Sequence, residues 1–349
     1  MQIGVTEGIR ARKGARTGTR RVLPALFIVL AVLVLLSFCI GRYGVPLKEL
    51  FRIFVSRVFP LPVTWTVEME AVALNIRLPR ILLCCLVGAS LSAAGAAYQG
   101  VLQNPMAAPD ILGASTGAGF GAALAIYFGA ASFLITVSAF FMSLVTIGAV
   151  FLIGRRAPGH PVVNLILAGI MVGSLFQAGT SYIKLVADPT NQLPEITYWL
   201  MGSLAGVTMK EVRFAVTPML LGLVPLFLLR WRINILTMGD EEARTLGVNA
   251  NALRLAVIVC ATLVTAASVS VSGVIGWVGL VIPHLCRRIA GSDYKYVMPA
   301  SMLLGAAFLL VVDNVSRNLL ATEIPIGILT AFVGAPFFLY LLLRKKGAQ

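Results

Sequence analysis

The chain has 349 residues, of which 58% are apolar and only 12% charged, and its mean hydropathy is +0.92. Soluble domains carry about 25% charged residues, so an ordinary soluble fold is excluded and the chain belongs in a bilayer. A net charge of +14 does not point to nucleic acid, because the basic residues stand at the ends of apolar segments rather than in one patch, as membrane topology requires.

A helix needs about 20 mostly apolar residues to cross the hydrocarbon core. Segments 23–40, 81–101, 112–128, 133–154, 162–186, 212–229, 253–271, 274–290, 298–316 and 325–343 meet that need. The expected fold class is therefore an all-α polytopic membrane protein with about ten transmembrane helices. It comprises a basic arm (1–22), a membrane domain (23–343) and a short tail (344–349). With both termini in the cytoplasm, most of the 28 Lys and Arg residues fall on the inner side, as the positive-inside rule asks. The short eighth segment, which contains Pro283, must then cross, because otherwise Arg344, Lys345 and Lys346 would lie outside.

Arg10, Arg12, Lys13, Arg16, Arg20 and Arg21 make the arm look like the start of a signal peptide. No small-residue cleavage site follows, and an uncleaved first span is expected. Residues 41–80 form the largest external stretch. Arg42, Lys48, Arg52 and Arg57 alternate there with Leu50, Phe51, Ile53, Phe54 and Val55 at helical spacing, the pattern of an interfacial amphipathic helix. Arg77 and Arg80 then precede a span that enters from outside. Two arginines at a helix start oppose its dipole, so either lipid phosphates or an acidic external partner would account for them.

The second and third spans are rich in small residues, including Gly88, Gly95, Gly113, Gly117 and Gly121, which let helix backbones approach closely. Between them, Tyr98–Asp110 holds Pro105, Pro109 and several amides. It is either a plain turn at the cytoplasmic face or the lining of a pathway, since irregular backbone at membrane depth needs protein or water around it. Asp188–Met209, with Tyr198 and Trp199, suits an interfacial aromatic belt.

Leu236–Asn251 is the most polar run between two spans. Asp240, Glu241 and Glu242 open it, Ala243, Arg244 and Leu246 follow, and Gly247 stands where a short helix would close. Asp240 is placed to cap the first turn and Gly247 to take the left-handed ending. Such a helix is far shorter than the roughly 12 residues that are marginal alone in water, so a soluble partner must dock on it.

Further along, His284 at the inner end of Gly273–Arg288 is read as a packed or interfacial group. Asp110, Asp293, Asp313 and Glu323 lie at span ends, which leaves no ionisable ladder and argues against ion-driven transport. Residues 77–89 match 254–266 at Arg77/Arg254, Leu78/Leu255, Ile81/Ile258, Leu86/Leu263, Val87/Val264 and Ala89/Ala266, on spans of opposite direction, as an inverted repeat would have it. The five cysteines sit in or at the ends of apolar spans, so neither disulfides nor a metal cage are expected. There is no phosphate-binding loop and no nucleophile constellation, so neither a nucleotide site nor catalytic residues are expected.

Five motifs in one order resemble the membrane permeases of iron-chelate ABC importers, which serve siderophores, haem and cobalamin. They are Arg77-Leu78-Pro79-Arg80; Gln103 to Pro109 with Ile111-Leu112-Gly113; Gly239 to Arg244 with Leu246-Gly247; Gly279 to His284; and Glu323 to Gly327 with Gly334-Ala335-Pro336. The resemblance spans about residues 20 to 345. It implies a ten-span, type II importer permease in the cytoplasmic membrane, paired with a second copy. Two ATPase subunits lie beneath it, holding the ATP and Mg, and a substrate-binding protein docks outside. In that scheme Asp240 to Gly247 couples to the ATPase, and Arg77, Arg80 and Arg317 meet carboxylates of the binding protein. Asn104 and Met106 form a cytoplasmic gate. Val162 and Val163 stand where some members carry hydroxyls, so no gate role passes to them. An iron-siderophore is the first expected cargo, with haem or cobalamin as alternatives and an ion-coupled transporter as a remote one.

Overall fold

The small residues of the second predicted span decide the centre of the molecule. A computed structural model describes residues 2–159 and 161–344, and among these there is helix but no strand. In chain order the helices are α1 (Gln2–Cys39), α2 (Leu47–Val55), α3 (Val67–Ala71), α4 (Leu78–Val101), α5 (Ala114–Tyr127), α6 (Ser132–Arg156), α7 (Pro161–Val186), α8 (Gln192–Leu200), α9 (Met209–Met238), α10 (Asp240–Thr245), α11 (Ala250–Ser272), α12 (Val278–Ala290), α13 (Tyr294–Asn318) and α14 (Ile326–Arg344). Every residue from Ser90 to Leu102 is buried, so α4 is enclosed on all sides, chiefly by α9, α11, α12 and α13. A methyl group at Gly88 would overlap the Gly305 carbonyl of α13, and one at Gly95 the Gly279 carbonyl of α12. With no water to expel between helices in lipid, such close backbone packing supplies the association.

Each of the ten predicted spans is a helix, and seven helical stretches are long and apolar enough to cross a membrane. Of the rest, α5 and α12 have 14 and 13 residues, a rise of about 20 Å against a core of about 30 Å. Irregular backbone extends both. A 3₁₀ turn, Pro109–Leu112, leads into α5, and residues 273–277 lead into α12. The second of these is supported by a backbone junction in which Ser203 N–H donates to Ser272 O (2.8 Å) and Ile326 N–H donates to Gly202 O (2.8 Å). Gly202 and Gly273 both have positive φ, 74° and 66°, and a side chain on either would strike the facing backbone.

The helix that contains Arg77 and Arg80 begins earlier than the sequence reading placed it. Thr66 Oγ1 caps Val67–Ala71 by accepting from Met69 N–H at 3.3 Å, and Glu68 and Glu70 occupy the first turn. A π turn, Val72–Arg77, then joins α3 to α4, with Leu78 N–H bonded to Ala73 O. The positive end of the dipole therefore faces acids, and the expected conflict with the arginines does not arise. Pro79 sits just after the turn that shifts the hydrogen-bond ladder. On α2, Leu50 and Ile53 are buried while Leu47 and Phe51 are exposed, as an interfacial helix requires.

The paired segments 77–89 and 254–266 lie on α4 and α11, which pack antiparallel. Ala93 to Val101 shares a core cluster with Ala250 to Val264, and Leu83 to Leu91 shares another with Ala267 and Val271. Arg77 and Arg254 are both buried.

Candidate transport pathway and partner-facing sites

On α7 the residues Ser174, Gln177 and Ser181 are exposed, at spacings of three and four, so they form one polar stripe on an apolar helix. Ser174 and Ser181 donate to the carbonyls of Ile170 (2.8 Å) and Gln177 (2.9 Å), so both hydroxyls are satisfied locally. The Gln177 side-chain amide makes no hydrogen bond to the described residues. An unpaired amide facing hydrocarbon costs several kcal/mol, so this face looks onto water or protein rather than lipid. It borders an open groove of about 540 Å³ shared with Asp110, Thr116, Gly169 and Gly173. Gly169 lets the Pro109–Leu112 turn lie directly on α7, because a methyl there would overlap Ile111 O. The wall is thus hydroxyl and amide, with one carboxylate, Asp110, which accepts from Ser115 Oγ. Among the described residues, no Lys, Arg or His lines it. Where α7 turns into α8, Asp188 accepts from the backbone N–H groups of Thr190 (3.3 Å) and Asn191 (2.9 Å), which hold its carboxyl below the usual range.

The gate turn follows α4. Gln103 has φ 50°, a left-handed conformation that costs a non-glycine residue about 1–2 kcal/mol. Asn104 Oδ1 accepts from Met106 N–H at 2.9 Å, which folds the turn on itself, and Met106 is 47% exposed. Gln103 Nε2 donates to Leu236 O on α9 at 2.7 Å.

Helix α10 is where the sequence placed it, with one change at its start. Gly239 (φ 126°) holds the cap position and Asp240 is the first helical residue. The Asp240 side chain, expected as the cap, lies outside the described residues. At the other end Gly247 takes φ 74°, and Val248 N–H returns to Ala243 O at 3.0 Å, a left-handed closure. Ala243 is fully buried against the core that includes Leu236, Ala250 and Leu253. Glu241, Glu242 and Arg244 are exposed, as are Met238 (63%) and Leu246 (60%). One edge is anchored and the other is free for a partner.

At the opposite end from α10 the arginines make a buried network instead of an exposed docking set. Arg80, 5% exposed, donates from Nε to Asp313 Oδ1 (2.9 Å) and grips Glu323 with both terminal nitrogens (3.0 and 2.8 Å). Arg317 Nε lies 3.1 Å from Asp313 Oδ2 as an ion pair without hydrogen-bond alignment, and its Nη2 donates to Ser37 Oγ (2.9 Å) and Asn314 Oδ1 (2.6 Å). Arg77 donates to the carbonyls of Phe38 and Tyr43. Three arginines thus find their partners within the chain, in α1 and the segment after it, α13 and the loop before α14. Asp313 lies near the carboxyl end of α13, where the sequence placed it, and is fully buried there.

Residues 29–344 match the model of the FecCD transport family. The chain belongs to that family. It is an ABC importer permease of the FecCD type and a polytopic membrane protein. Among FecCD relatives, the molybdate import system permease protein MolB of Haemophilus influenzae is 37% identical over 93% of this chain and 96% of its own length. A probable iron chelatin transport system permease of Helicobacter pylori is 41% identical over 80% of this chain and 85% of its own. An inward-facing metal-chelate type ABC transporter superposes with a TM-score of 0.83 at 37% identity, over 93% of this chain and 99% of its own. Other relatives carry names that refer to cobalamin and hemin. The relatives are permease subunits rather than enzymes, and FecCD membership removes the ion-coupled secondary transporter as a reading.

In this FecCD permease the predicted site residues fall into two groups at opposite ends. Asn104, Met106 and the α10 residues lie together at one end, where Leu102 and Ala107 share a core cluster with Leu236 and Ala243. Arg77, Arg80 and Arg317 lie together at the other. The α7 stripe between them was missed by the sequence reading. Its signal was present as Ser174-x-x-Gln177-x-x-x-Ser181, a polar face inside a span, but which face of a helix meets lipid is decided by its neighbours.

Proposed function

We propose that this permease moves an iron-siderophore complex from an external binding protein into the cytoplasm. Two copies would frame the pathway, each contributing an α7 stripe, with two ATPase subunits holding ATP and Mg against α10. The stripe carries this reading, because an unpartnered Gln177 amide in a membrane helix is intelligible where a hydrated passage runs. In this orientation the arm 1–22, the tail 344–349 and the segment 236–251 are cytoplasmic, segment 41–80 is external, and the protein resides in the cytoplasmic membrane. The α10 residues Asp240 to Gly247 serve coupling, and Asn104 and Met106 the inner gate. The binding protein docks over the arginine network, reaching it through Glu323, whose side chain is 30% exposed.

Two features support a chelate over a free oxyanion. The iron chelatin relative has one of the higher identities, 41%, and among the described residues the pathway wall carries no basic side chain to offset an anion's lost hydration. A chelate buries its own charge and asks only for weak polar contacts. Co-purification with the neighbouring ATPase and binding protein, followed by ligand identification on that binding protein, tests the proposal. Capture of both subunits with hydrolysis stimulated by a ferric siderophore supports it. Stimulation by haem or cobalamin alone would move the cargo to those chelates, and stimulation by molybdate alone would overturn the chelate reading.

A further inference from the structure

The gate turn and the coupling helix are joined by one side chain that neither motif accounts for. Leu236 is the third-last residue of α9, so its carbonyl is among the last four of a helix, which have no regular intrahelical partner. Gln103 Nε2 supplies one at 2.7 Å. To do so its backbone holds φ 50°, although residues other than glycine avoid that region. Apolar packing acts in parallel. Leu102 and Ala107, on either side of the turn, share a single buried cluster with Leu236 and with Ala243 of α10. Between Leu236 and α10 the chain runs only through Thr237, Met238 and Gly239.

We infer that Gln103 is a positioning residue that latches the Asn104–Met106 turn to the carboxyl end of α9, so that a displacement of α10 by its partner is passed to the gate. This rests on the gate and coupling roles proposed above. The hydrogen bond ties the turn to the helix end that leads directly into α10. The shared apolar cluster makes the two shift together rather than slide. Removing the donor should leave the partner bound and ATP hydrolysis running while the gate responds poorly.

The test uses the whole transporter, permease with ATPase and binding protein, in proteoliposomes, and reads substrate moved per ATP hydrolysed. Gln103→Glu keeps the shape but places an acceptor against the Leu236 carbonyl. Gln103→Asn tolerates the left-handed backbone but is too short to reach. Both are expected to lower the transport-to-hydrolysis ratio roughly fivefold, the low end of ordinary coupling energies, with hydrolysis within about twofold of the parent. Gln103→Lys, which restores a donor, is expected to recover most of the ratio. An unchanged ratio in both Gln103→Glu and Gln103→Asn would overturn the latch, as would equal loss in Gln103→Lys. If the unaltered permease captures no ATPase, it is the underlying coupling role that fails, and this is read before any variant is made.

Discussion

Arg80 shows how much a single position depends on its surroundings. Its charge is compensated by Asp313, which is wholly buried, and by Glu323, which is part exposed. Breaking a buried pair by removing one partner costs about 3–5 kcal/mol, whereas an exposed partner is worth about 1 kcal/mol or less. Arg80→Gln should therefore lower the melting temperature in detergent much more than Glu323→Gln does. A thiol-reactive dye can follow this, since Cys84 and Cys286 are buried until the protein opens. Similar losses in the two variants would contradict the burial difference. At Gln177 the expectation is opposite. No protein hydrogen bond is lost in Gln177→Leu, so melting should be unchanged, while uptake falls roughly threefold to tenfold, the worth of one polar contact to the cargo or its water. Uptake equal to the parent's would remove α7 from the pathway. RLPR was visible in the sequence as unusual, but the carboxylate partners of Arg80 stand 233 and 243 positions away. Nothing local could show that its charges are satisfied internally.

Among elements, α10 was the most legible, because its acids, its length and Gly247 are all local signals. Its exposed edge carries Glu241 and Glu242 beside Arg244, so a Glu241→Arg, Arg244→Glu double variant should abolish ATPase capture and uptake while the permease still elutes as a folded species. Retained capture would separate α10 from partner binding. The contact between α7 and the turn before α5 was less visible. Gly169→Val would drive a side chain into Ile111 O, and overpacking of this kind costs about 1–3 kcal/mol. Its melting temperature should fall, and Gly148→Val on α6, where nothing lies within 4 Å, provides the comparison. If the two variants melt alike, the turn does not bear on α7. The sequence reading put a helix start at Arg77 and Arg80, whereas the helical run begins at Val67 and passes that point through a π turn.

For the whole molecule, composition alone placed the chain in a bilayer, and each of the ten spans that hydropathy located is helical. That reach has a physical reason, since lipid offers no partner to a bare backbone and forces helices wherever apolar runs are long enough. The motif order pointed to the family, and the α10 handle followed from local helix-end chemistry. Tertiary structure alone decided which helix is central, which charges are buried and which polar face is left unpaired. Gly88 meets Gly305, Arg80 meets Asp313, and Gln103 meets Leu236 only after the helices have packed. Those pairings join positions more than a hundred residues apart, and helical periodicity carries no information about them.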